Sequence, residues 1–172
     1  AKFGGPLPLF MPEAVIMAAQ PIQQAYDFDG FYAPIVQFQE TGVVQPGTVE
    51  LAQPAVYSIL DFSQPVDSMI AWEGSMVVEQ GGTLNAMRFV TKNVLAIVQE
   101  QATTIDWLNH YMTLPLYRPV EVKAGDLLRI SFAYRAGGSI PSLQASIQVE
   151  VVTEQAAAAA HAPAVEEAAS FA

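Results

Sequence analysis

Cysteine is absent from the sequence, so neither a disulfide framework nor a thiolate metal site is available to it. Basic residues are scarce: 7 Lys and Arg stand against 17 Asp and Glu, for a net charge of −10. That field repels a phosphate backbone and attracts a cationic partner, so no nucleic-acid partner is expected. The only two histidines, His110 and His161, lie far apart, which argues against a metal centre. No apolar run approaches the roughly 20 residues of a membrane span. The first residues show no basic stretch followed by an apolar one. These absences together fit a cytoplasmic setting with no membrane partner. Catalytic fingerprints are missing too: G-x-G-x-x-G, the P-loop, H-E-x-x-H and G-x-S-x-G do not occur. Glu166-Glu167 reads as solvated charge. Nothing in the chain amounts to a self-sufficient active site.

What is present is strand pattern. Apolar residues make up 52% of the chain, enough for one domain with a real core. From Leu127 the side chains alternate. Leu128, Ile130, Phe132 and Tyr134 share one face, and Arg129, Ser131 and Arg135 share the other. Ala136-Gly137-Gly138-Ser139 predicts a tight reversal into a return strand, in which Leu143, Ala145, Ile147, Val149 and Val151 alternate with polar residues. Lys123-Ala124-Gly125-Asp126 predicts a turn after a strand that ends at Val120 and Val122. Ala14–Ala19 predicts a buried strand, Asp29-Gly30 a turn, and Val56–Phe62 a strand covered on both faces. In Val66–Val78 the residues Ile70, Trp72, Met76 and Val78 share a face with Gly74, which predicts a bulge or a close approach there. Leu84–Val98 fits helix and strand spacing equally and reads as mixed. The pattern as a whole predicts an all-β domain, barrel or sandwich. Ala1–Pro12, rich in Pro and Gly, reads as a connector; with no initiator Met, the chain reads as a fragment or an expressed piece. The domain proper spans 13–153, and the Ala/Glu-rich segment 154–172 reads as a flexible tail.

Ile105-Asp106-Trp107 sets a tryptophan in a polar stretch. Upstream lie the strand Asp67–Val78 and Phe89-Val90-Thr91; downstream lies Val122-Lys123-Ala124-Gly125-Asp126. This order resembles the C-terminal β-barrel domain of the protein arginine methyltransferases. There, a strand is followed by Phe-x-Thr, a Thr-His-Trp loop, an apolar strand, a Val-x-x-Gly-Asp/Glu turn and a closing hairpin. Phe10-Met11-Pro12 is similar to the family's lead-in to the barrel, and Tyr26-Asp27-Phe28-Asp29 to a piece before its dimerisation arm. The sequence departs from the family where Ile105-Asp106 replaces Thr-His. Extra residues lie between Phe89 and Trp107, and a few more between Trp107 and Gly125.

The resemblance implies an antiparallel β-barrel that lines one wall of a methyltransferase active site. The Rossmann-type domain that binds S-adenosylmethionine, and holds the substrate guanidinium with paired glutamates, is not in this chain. The expected function is therefore the substrate-binding and dimerisation barrel of an S-adenosylmethionine-dependent methyltransferase. The chain alone is expected to be inactive and to bind no cofactor. Trp107 and Asp106 are the expected substrate-binding residues. The expected partners are the catalytic domain of the same enzyme and a second copy, through residues 26–53. The competing expectation for function is a stand-alone β-barrel binding or assembly module; the competing expectation for the two residues is Trp107 packed in the core or between domains and Asp106 in a turn.

Overall fold

The computed structural model describes residues 11–40 and 46–152. Two long strands dominate: β8 (Gly82–Val98) and β9 (Thr103–Val122). β8 pairs on its other side with β1 (Ala14–Gln24), continuously from Ala14 opposite Val94 to Ile22 opposite Ala86. The free side of β1 is shared by β6 (Ala55–Asp61) and β5 (Thr48–Glu50), while β4 (Gln37–Glu40) adds to the far edge of β9. This six-stranded antiparallel sheet curls into a half-barrel. A second sheet, β7 (Met69–Val77), β10 (Leu127–Arg135) and β11 (Gln148–Val152), closes over its concave side. A two-stranded hairpin, β2 (Asp27–Phe28) and β3 (Phe31–Tyr32), stands apart. The fold is all-β and antiparallel, as the alternation predicts.

The core lies between the two sheets. Met87, Phe89 and Leu114 of the large sheet meet Met76, Leu128, Ile130 and Phe132 of the small one. Burying each such side chain stabilises the fold by roughly 1.5–3 kcal/mol relative to exposure. The predicted turns are present. Asp29 and Gly30 both have positive φ, 51° and 87°, as a two-residue reversal of this hand requires. Gly125 has φ 92°, and the backbone around it bonds to Val78, tying the turn to the end of β7.

Several segments differ from the sequence expectation. The return strand begins only at Gln148, because Ile140–Ser146 is a helix, α1. Ser139 accepts a bond from the Ser142 amide at 3.3 Å and Pro141 sits in the first turn, both of which favour a helix start. Ile140, Leu143 and Ile147 recur at three and four residues, so they fit a helix face as well as a strand face; all three pack on the core. Leu84–Val98 is strand throughout. Val56 and Ile59 are 55% and 63% exposed, so β6 is not covered on both faces. It is bonded to β1 alone, and Tyr57 bulges at the shift between Met17 and Ala18. At Gly74 the close approach is made by Trp72: a Cβ there would come within 2.2 Å of Cζ2 of the indole ring. The β7–β10 register runs through without a bulge. The readings of 1–10 and 154–172 lie outside the described residues.

Candidate functional site at the mouth of the half-barrel

Trp107 is not in a loop. It lies within β9, opposite Asn93, and is 58% exposed. Its direction is set by a bulge. Thr91 pairs with His110 but Asn93 pairs with Trp107, so residues 108 and 109 stand against Lys92 alone. Directly paired residues share a face, and Phe89, Thr91 and Asn93, two residues apart along β8, lie on one face. Hence Met112, His110 and Trp107 all turn to the concave side, above Phe89 of the core.

Asp106 turns the other way. It pairs with Val94, and its carboxylate meets the Lys92 ammonium at 2.7 Å. The hydrogen bond from Lys92 is the main cause holding its acidity below the usual carboxylate range. The structure therefore does not bring the two predicted residues to one surface. Beyond Val94, where pairing with β1 ends, β8 and β9 continue as a two-stranded ribbon. A 3-10 turn at Gln99–Gln101 closes it, with Ala102 at φ 46°. Ile97 and Ile105 are exposed on this ribbon.

Further along the same face, at Thr91 and Met112, lies a cavity of about 230 Å³, open to solvent and lined by Met17, Tyr57, Phe89, Thr91, Met112 and Tyr134 among others. His110 and Phe38 stand exposed beside it. The Tyr57 and Tyr134 hydroxyls lie 3.0 Å apart, and Tyr134 also donates to Met17 Sδ at 3.7 Å. Burial, and then the bond to Tyr134, push the Tyr57 hydroxyl well above its ordinary pKa. The sequence places Tyr134 on one strand face with Leu128, Ile130 and Phe132, and weighs His110 as a metal ligand. The cavity was not legible because its walls come from six separate strands and α1.

The opposite face carries a polar clamp. Arg88, buried and opposite Gln20 on β1, donates to Gln20 Oε1 through Nε at 3.1 Å and ion-pairs with Glu50 of β5. Gln20 Nε2 donates in turn to Glu50 and to the Ala52 carbonyl, and the guanidinium lies 4.8 Å from the Tyr111 ring centre. With Arg88 Nε and Nη2 and Gln20 Nε2 engaged by partners on β1 and β5 and beside them, this cluster fastens strands. Among the described residues, no group of three His, Asp or Glu is placed to hold a metal ion. No helix is long and apolar enough to cross a membrane.

The predicted interface segment divides. Phe31, Tyr32, Ile35 and Phe38 are exposed, whereas Val36 packs against the core. Val43 and Val44 lie outside the described residues.

The fold is similar to that of a protein arginine methyltransferase. One similar structure is a chain of the Trypanosoma brucei PRMT1 enzyme–prozyme heterotetrameric complex with AdoHcy, matched at TM-score 0.51 and 10% identity. The match covers 71% of this chain but only 47% of that one. At such identity the likeness is one of fold. No family model matches the chain, and no curated protein does.

Proposed function

We propose that this chain is the accessory β domain of an S-adenosylmethionine-dependent methyltransferase related to the protein arginine methyltransferases. The carrying observation is Trp107, a large aromatic held exposed on the concave rim by the β9 bulge, in a fold similar to the methyltransferase chain. In this reading the concave rim faces a catalytic domain, and Trp107 forms the barrel's side of the substrate site. An indole face there attracts a cationic side chain. Asp106 is a positioning residue: its pair with Lys92 fastens β9 to β8 beside the bulge that sets the direction of Trp107. The exposed aromatics of β3 and β4 form the contact to a second subunit.

The mouth of the half-barrel does not fit S-adenosylmethionine. Its lining holds no carboxylate for the ribose hydroxyls and no glycine-rich turn for close backbone approach. The cofactor therefore belongs to the catalytic domain. The test is methyl transfer to an arginine-bearing peptide by the full-length polypeptide. Trp107→Ala is expected to lower kcat/KM by up to about thirtyfold, the equivalent of the ~2 kcal/mol of a desolvated cation–π contact. Unchanged kinetics in that variant remove Trp107 from the site.

A further inference from the structure

We infer that the cavity at the mouth of the half-barrel is a binding site for a small neutral aromatic molecule carrying one hydrogen-bonding group, of the phenol or indole class. The inference does not depend on the methyltransferase reading, although Phe38 belongs both to the cavity lining and to the proposed subunit contact. Size is the first argument. The cavity is about 230 Å³, and an apolar cavity of ~150 Å³ accepts benzene. Chemistry of the walls is the second. Met17 and Met112 offer thioethers, which make favourable contacts with aromatic rings. Tyr57 and Phe89 already meet edge to face, with centroids 6.1 Å apart and planes at 85°, an arrangement a third ring extends.

Charge decides the ligand's ionic state. No Asp, Glu, Lys or Arg lines the cavity, and His110 stands at its exposed edge. An ion against the inner walls of Met17, Tyr57, Phe89, Met112 and Tyr134 therefore loses hydration without a counter-charge beside it. Polarity decides its functional group. Tyr57 and Tyr134 share one hydrogen bond, and the other partner of Tyr134 is a thioether, a weak acceptor. An incoming hydroxyl or ring N–H finds an oxygen to donate to, and an incoming oxygen accepts from Tyr134 better than sulfur does. A small site of this kind is mostly apolar with a few placed polar groups.

Ligand-observed NMR of the 172-residue chain with phenol and with toluene tests the assignment. Phenol is expected to bind saturably at millimolar concentration or below, and toluene more weakly. Thr91→Leu, which fills the cavity, is expected to abolish both; Met112→Phe is a second filling variant should the first fail to fold. Tyr134→Phe is expected to weaken phenol several-fold while leaving toluene unchanged, and Tyr57→Phe serves if that variant is unstable. Absence of saturable phenol binding, equal binding to a folded cavity-filled variant, or a phenol-to-toluene ratio unmoved by loss of the hydroxyl each overturn the inference.

Discussion

Asp106 and Trp107 are neighbours in sequence and point to opposite faces of β9: Asp106 to Lys92 at 2.7 Å, Trp107 to the concave rim opposite Asn93. Two adjacent residues of a strand cannot line one pocket. The bulge at residues 108 and 109 decides which of them joins His110 and Met112. In the proposed reading, a cation at the concave wall therefore meets the indole and not the carboxylate.

The exposure of Trp107 is directly measurable. In Trp72→Phe the remaining fluorescence belongs to Trp107, and efficient acrylamide quenching is expected. In Trp107→Phe the signal of Trp72, which packs on Phe132 with ring centres 5.4 Å apart, is expected to be shielded. Equal quenching of the two variants contradicts the placement of the rim.

Gly74 is expected to be intolerant of a side chain. A Cβ there collides with the Trp72 ring, a rigid group that packs on the core. Gly74→Ala is expected to cost about 1–3 kcal/mol in urea unfolding, as overpacking does. Trp72→Leu in the same molecule is expected to recover part of that loss; additive losses contradict the collision.

Much of this architecture was legible in the sequence. The alternation of Leu128, Ile130 and Phe132 fixes which face of β10 is buried, and Asp29-Gly30 and Gly125-Asp126 mark real turns. The failures share a cause. Ile140, Leu143 and Ile147 satisfy both periodicities, and the capping serine and the proline after it break the tie. The β9 bulge depends on how β8 and β9 register, which no local pattern encodes. The cavity requires Met17, Tyr57, Met112 and Tyr134 to meet from strands far apart in sequence. The likeness to the methyltransferase barrel was legible in the order of motifs, but the place of its tryptophan in a strand was not.

The Arg88–Gln20–Glu50 clamp gives a pH dependence. The bond from Arg88 holds the Glu50 carboxyl below its ordinary value of 4.5. A carboxylate depressed in the folded state adds stability above the unfolded pKa, and that stability is lost as pH falls through the lower folded value. Unfolding free energy should therefore drop as pH falls below about 4.5. Glu50→Gln should flatten that limb slightly, since half-exposed Glu50 is partly screened. Arg88→Met, which leaves buried Gln20 without its donor, should cost about 1–3 kcal/mol at neutral pH. An acid limb of the same slope in Glu50→Gln contradicts the clamp.

The subunit contact is tested on the full-length polypeptide by sedimentation. Phe31→Asp with Ile35→Asp is expected to turn a dimer into monomer with the far-UV spectrum unchanged. Both side chains are exposed, so the fold does not depend on them. Val36 is unsuitable, because it packs on the core. A dimer indifferent to both substitutions removes this contact.

The central claim is that this barrel serves a methyltransferase whose cofactor site lies elsewhere in the polypeptide. Calorimetry with S-adenosylmethionine tests it most directly, run side by side on the full-length gene product and on the 172-residue chain. Micromolar binding to the full-length protein and none to the chain is the expected result. A full-length protein that binds no S-adenosylmethionine, or a chain that binds it alone, contradicts the account.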